Sequence, residues 1–308
     1  MRTRSDIHPV DPVLTNVSLK FKNSGFVASR IFPVVPVAEV SGTYFVYGKQ
    51  NFDLPSLKRT SGSGYNRSSF EITNDTYAAF RYGLEDVIDD DDRLAVTSPL
   101  NLDMDATNYV TDKVLLGYEK RVVDIVTDNS VITQTTALTT TSQWNDYVNS
   151  DPIGDIDTGK NTISAATGLP ESELILVLGK EVFDQLKRHP QLIELIKYTQ
   201  RGTVSAELMA GIFGVKEVLV ASSLYNSAKA GQTASLTRLW GKNALLAWPG
   251  KGLSLRSLSL GYTMQKEAFQ TRKYRHEKEI GDVIRVSHYT DEKLVSALCG
   301  YLITTAVA

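Results

Sequence analysis

Residues 98–127 read SPLNLDMDATNYVTDKVLLGYEKRVVDIVT, and the fold turns on whether this stretch forms one long helix. Leu102, Ala106, Tyr109, Val110, Val114, Gly117, Val122 and Val126 recur mostly at steps of three to four, which keeps one helical face apolar. Ser98 is suited to cap free N–H groups at a helix start, and Pro99 to the first helical position. Asp103 and Asp105 come early while Lys113, Lys120 and Arg121 come late, the order that the helix macrodipole favours. Asp128-Asn129-Ser130 is a turn signal. At ~1.5 Å per residue such a helix is about 40 Å long. Its weak point is the β-branched run Val122-Val123-Asp124-Ile125-Val126, which favours strand. A helix of this length is a backbone for other elements to pack across, either of this chain or of another copy.

The remaining composition is that of an ordered protein: 308 residues, 42% hydrophobic and 22% charged, with a formal net charge of −2. That balance gives no bulk attraction to nucleic acid or to a membrane surface. The distribution is uneven. Residues 1–82 carry ten Lys or Arg against six Asp or Glu, and residues 83–128 carry four against twelve. A basic N-terminal part and an acidic middle can attract each other between copies. Cys299 is the single cysteine, so neither an intrachain disulfide nor a cysteine-based metal cluster is available. The first residues, MRTRSDIHPVDP, lack the apolar core of a signal peptide. The longest uncharged apolar stretch, Leu294–Ala308, falls short of the ~20 residues that span a bilayer and reads as a buried terminal strand.

Outward from residues 98–127, the N-terminal side is extended. Residues 1–12 read as an arm, and Pro33 and Pro36 exclude helix around them. Thr43–Tyr47 is a strong strand signal. Between it and a second strand-like flank from Phe70 lies GKQNFDLPSLKRTSGSGYNRSS, residues 48–69, polar and long, with Lys58, Arg59, Tyr65 and Arg67. A long structureless loop inside a compact domain is unusual and often functional, and it makes sense lying on a neighbouring subunit. Residues 83–97 read as an acidic segment feeding the long helix. Residues 128–160 read as strand or loop with Trp144 as a packing point. From Thr162 the pattern alternates: strand 174–178, helices 180–189, 191–199 and 205–213, and strands 215–221, 236–240 and 244–248. Strands 253–264, 282–288 and 296–304 close the chain.

Motifs for chemistry are weak. Gly154–Asn161 (GDIDTGKN) nearly matches a phosphate-binding loop, but Asn161 replaces the hydroxyl residue, no buried strand precedes it, and two aspartates would face the phosphates; it reads as a loop before a helix. Asp155, Asp157, Gly159 and Asn161 hint at a calcium loop, yet Ala166 stands where the bidentate Glu belongs. The acidic run Asp89–Asp92 reads as a solvated turn. His8, His189, His276 and His288 have no zinc-ligand spacing. Lys266–Lys278 reads as a polar hairpin tip or an inter-subunit contact, with phosphate contact to nucleic acid as the alternative.

The order of segments resembles the tailed-bacteriophage major capsid proteins of the Hong Kong 97 type. The resemblance is carried by Leu19–Tyr47, with FVASRIFPVVPV (26–37) followed by SGTYFVYGK (41–49), and by the basic stretch Gly48–Ser69, similar to the family's extended loop. It continues through the long segment Ser98–Thr127, Leu174–His189, and AGIFGV at 210–215 leading to Ala221, and ends with Val283–Ala308. It covers nearly the whole chain and rests on the order, since no single motif is diagnostic. It implies an α+β phage capsid fold with an N-terminal arm (1–40), an extended β-hairpin loop with flanking strands (41–82), a peripheral domain carrying a spine helix (83–144 and 251–308) and an α/β axial domain (145–250). It also implies a structural shell protein, without catalytic activity or cofactor, assembling as pentamers and hexamers around packaged double-stranded DNA. Portal and scaffolding proteins are implied as partners, the virion as location and host cytoplasm as the place of assembly. Lys58, Arg59, Tyr65 and Arg67 become candidate inter-subunit contacts. No Lys–Asn cross-linking pair maps onto the chain. An encapsulin-type compartment, a nucleotide-dependent enzyme using Gly154–Asn161, and a tail or baseplate component are the alternatives.

Overall fold

A computed structural model of the chain describes residues 25–47, 54, 57–59, 61–62, 64–65, 67, 72–95, 101–197, 204–229, 231–250 and 258–308. Ser98 and Pro99, residues 1–24 of the expected arm 1–40, Phe70 and Leu253 lie outside them.

The long helix runs Leu102–Val126. Its N-cap is Asn101, whose side chain accepts a hydrogen bond from the Met104 N–H. The expected apolar stripe is corrected at two places. Tyr109 is 56% exposed and has the Lys113 ammonium over its ring, while Tyr118 and Glu119 are buried instead. The β-branched run stays helical because Val122, Val123 and Val126 are buried in the main core, and that burial outweighs their propensity.

The helix crosses a four-stranded sheet in the order Val34–Pro36, Gly261–His276, Gly281–Leu294, Phe80–Asp89. Ala106 packs on Ile88 and Ile284, and Val110 and Val114 pack on Val286. The two middle strands form one long antiparallel hairpin, with register shifts between Gln265 and Gln270. Lys266–Lys278 is therefore mostly strand, and only its end is hairpin tip. Of residues 83–97, expected as a feeder, 83–89 complete the strand Phe80–Asp89 and 90–95 form the short helix Asp90–Ala95.

The larger core surrounds a five-stranded mixed sheet in the order Thr135–Ala137, Gly300–Thr304, Ala244–Ala247, Ile175–Gly179, Glu217–Ala221. The central strands ILVLG and ALLA are buried at every residue, which explains their unbroken apolar sequence. The closing strand begins at Gly300, not Ser296, and pairs with Ala244–Ala247 and Thr135–Ala137, so the C-terminal segment from Gly281 onward is shared between the two sheets. Trp144 is fully buried, as its sequence context suggested, and its indole N–H donates to Asp155 at 2.8 Å.

Sequence reading missed a long helix, and also the short helix Ala28–Ile31 and the strand Leu224–Asn226. Pro152–Thr167 is a helix, capped by Asp151 and ended by Gly168 at φ +68°. Gly159 lets it sit close on the sheet: a Cβ there would lie 2.7 Å from Leu246 and 2.8 Å from Tyr301. Gly154, Gly159, Asp155, Asp157 and Asn161, all in its first ten residues, hid the helix from propensity.

Candidate assembly interface

The reading of Gly154–Asn161 as a loop before a helix is corrected, since the stretch lies inside the helix Pro152–Thr167. Gly154–Asn161 is helical, so its backbone N–H groups beyond the first turn serve the helix itself. The Lys160 ammonium is buried and donates to the Phe213 carbonyl at 2.7 Å, at the C-terminal end of the helix Ala206–Phe213, while pairing with Asp157 at 2.6 Å. Asp155 accepts a hydrogen bond from the Trp144 indole. Among the described residues no group of three or more His, Cys, Asp or Glu is arranged to hold a metal ion, and no helix is long and apolar enough to cross a membrane.

Two polar junctions hold the frame. Glu119, 0% exposed, accepts from the Val27 N–H (3.0 and 3.1 Å), the Ala28 N–H (2.8 Å) and the Trp240 indole (2.9 Å). One carboxylate thus ties the long helix to the N-terminal segment and to the core of the five-stranded sheet. Burial pushes its pKa up, against the pull of the indole and the two backbone donors. The second junction is Arg121, which forks onto Glu292 at 2.8 and 3.0 Å and lies 3.7 Å from the Tyr82 ring centroid. Next to it the buried His288 ring meets Phe269 at 4.5 Å and Tyr82 at 5.8 Å between centroids.

Burial, reinforced by the Arg121 charge, depresses the His288 pKa to about 4. The unfolded chain therefore takes up this proton below about pH 6.5 while the native chain does not until about pH 4. Stability carried by this group is present above pH 6.5 and is lost as pH falls towards 4, by up to roughly 3 kcal/mol. His288→Asn should flatten that part of a stability-against-pH profile measured by urea unfolding; an unchanged acid slope would contradict the assignment.

Beyond the frame a two-stranded antiparallel ribbon, Ser41–Tyr47 against Ile72–Ala78, is seated on the four-stranded sheet through Tyr44 and Tyr77, which pack with Val35, Tyr262 and Met264. The Tyr44 hydroxyl donates to Asp75 at 2.8 Å. The ribbon carries the loop expected from the sequence. Its described apolar side chains are almost fully in solvent: Leu54 at 89%, Leu57 at 82% and Tyr65 at 77%. Lys58, Arg59 and Arg67 are exposed as well, and the Arg59 guanidinium lies 4.8 Å from the Tyr65 ring centroid. The structure thus brings Arg59 and Tyr65 together.

Further exposed apolar residues gave no signal in the sequence: Phe80 and Val87 on the edge strand, Leu94 on the short acidic helix, Val148, Leu195, and Ile280 at the hairpin turn. The acidic run, expected as a solvated turn, is partly engaged. Arg275 forks onto Asp90 at 2.6 Å, and Arg93 and Lys273 bridge Asp103 and Asp282.

A spine-like helix across a sheet with a long hairpin, a buried α/β sheet and a projecting ribbon together make the Hong Kong 97-type capsid fold, which solved phage capsids share with this chain. A family model described as phage major capsid protein E matches residues 105–258. The major capsid protein of Burkholderia phage BcepMu is 30% identical over 307 residues, 97% of each chain. That of Pseudomonas phage JBD67 is 27% identical over 77% of this chain and 76% of its own. A solved phage-related protein from Bordetella bronchiseptica RB50 is 25% identical with a TM-score of 0.71, covering 97% of this chain and 98% of that one. The chain belongs to the phage major capsid protein family, and its role is structural.

Proposed function

We propose that this chain builds an icosahedral phage head: copies gather as pentamers and hexamers around an axial domain (145–250), and the shell encloses double-stranded DNA. In this reading 83–144 and 251–308 form the peripheral domain, with Gly300–Thr304 tying it into the axial sheet. The protein performs no catalysis, binds DNA without sequence preference, and is assembled in the host cytoplasm with portal and scaffolding proteins. The observation that carries the reading is the ribbon loop. Leu54, Leu57 and Tyr65 stand in solvent beside Lys58, Arg59 and Arg67, although ordering such side chains costs entropy that no core among the described residues offsets. Seated on a neighbour they gain burial, and a closed shell repeats that gain at every copy.

The test is a charge reversal of the loop, Lys58→Glu with Arg59→Glu and Arg67→Glu. The expected subunit unfolds at the wild-type urea midpoint yet forms no shells by sedimentation and electron microscopy. Normal shells from this variant would remove the loop from the assembly contacts. Contents separate the two shell types: nuclease-protected duplex DNA marks a phage head, and enclosed enzyme marks a compartment.

A further inference from the structure

The long hairpin breaks its register between Gln265 and Gln270. Glu267 pairs with Tyr289 and Gln270 with Ser287, so Ala268 and Phe269 stand opposite the single residue His288. Such a bulge re-aims side chains and leaves its own backbone outside the ladder. Here it lays the Phe269 ring, 40% exposed, 4.5 Å from the centroid of the buried His288 ring. The other neighbours of the imidazole are Tyr118 and Arg121 from the long helix, Tyr82 from the edge strand and Glu292 from its own strand. Glu267 of the bulged strand is taken by Arg81.

Arg121 Nη2 lies 3.4 Å from His288 Nε2. A guanidinium only donates, so Nε2 is the acceptor and the neutral ring carries its proton on Nδ1. A second proton turns that acceptor into a donor aimed at a cation. Arg121 is held where it is by Glu292, at 2.8 and 3.0 Å, and by stacking on Tyr82. The imidazolium's way out is past Phe269, where the bulge has the fewest ladder hydrogen bonds to lose. The same segment holds the root of the ribbon. The Gln265 carbonyl accepts from the Val37 N–H at 2.9 Å, and the Lys266 ammonium donates to the Ala38 carbonyl, just before the ribbon strand Ser41–Tyr47.

We propose that His288 is an acid-sensitive latch: once protonated it leaves its place beneath the bulge, the segment Gln265–Gln270 lifts, and the root of the loop-bearing ribbon is freed. The consequence for assembly rests on the shell reading, whereas the latch belongs to the single subunit. Opening returns the imidazole to water and to its ordinary pKa of 6.5, against about 4 in the closed site. The latch is therefore closed above pH 6.5, and its opening equilibrium gains about thirtyfold between pH 7.5 and pH 5.

Hydrogen exchange on the unassembled full-length subunit, read by mass spectrometry and corrected for the intrinsic effect of pH, tests this. Exchange in Gln265–Thr271 should rise about thirtyfold from pH 7.5 to pH 5. It should not respond to low urea, because a local opening exposes little surface, while exchange in the central strand Ile175–Gly179 should quicken with urea. His288→Phe keeps a ring against Phe269 but takes no proton, so it should abolish the rise. Exchange in Gln265–Thr271 that is flat with pH, that follows urea as the central strand does, or that keeps its rise in His288→Phe would overturn the latch. The wild-type profile decides the first two even where the variant does not fold. A bulge that opens in acid in a chain that forms no shells beside its partner gene products would leave the latch standing and strike the shell reading.

Discussion

Replacing Glu119 by Ala should lower the unfolding free energy of the subunit by roughly 3–5 kcal/mol in urea titration. The side chain satisfies three buried donors, the Val27 and Ala28 N–H groups and the Trp240 indole, and no solvent reaches them in the native chain. Each buried donor left without an acceptor costs about 1–3 kcal/mol, and a void large enough for a water recovers part of it. Glu119→Gln keeps one acceptor oxygen but turns an NH2 group towards a donor, so its loss should fall between wild type and Ala. The pH dependence gives an independent check. Because burial raises the Glu119 pKa, the native chain holds this proton more readily than the unfolded chain, so stability from this group grows as pH falls and is lost as pH rises through the raised value. That slope is opposite to the one from His288, and Glu119→Gln should remove it. A Glu119→Ala loss below about 1 kcal/mol would show that the three-way junction is not a keystone.

Arg121→Ala should cost a similar amount, roughly 3–5 kcal/mol, because it leaves Glu292 buried without its cation. The Glu292 side chain is 4% exposed, and its remaining partner is the Thr290 hydroxyl, which donates at 2.9 Å. The loss of stacking on Tyr82 adds to the effect. Arg121→Lys keeps the charge but not the two-pronged geometry, and should recover only part. The decisive variant is the double change Arg121→Met with Glu292→Leu, which removes both charges at near-constant volume. It should be markedly more stable than Arg121→Ala alone, since the penalty lies in the orphaned carboxylate. Additive losses in the double variant would contradict that explanation. Arg121→Ala also removes one of the two causes that depress the His288 pKa, so the acid slope attributed to His288 should shrink with it.

The sequence showed the frame where apolar period and length agreed. The buried set Ala106, Val110, Val114, Val122 and Val126 was legible from its period, and ILVLG and ALLA from their unbroken apolar runs. The ribbon was legible because two strand signals flank a long polar insert. What stayed hidden depended on contacts between distant residues. Glu119 and Tyr118 fall outside the apolar period, and their burial comes from Val27, Trp240 and Thr263 opposite them. The helix Pro152–Thr167 was masked in part by Gly159, whose missing side chain admits Leu246 and Tyr301. Among the candidate contact residues, the loop cations were readable from composition, whereas the exposure of Leu94 and Ile280 was not.

The most direct test of the account is electron microscopy of the purified full-length chain, alone and after co-expression with its neighbouring head genes, beside light scattering. Closed shells whose capsomers have five and six copies are the expected result. A compact 34.0 kDa monomer under every condition, with no shells or rings even beside its partner gene products, would contradict it.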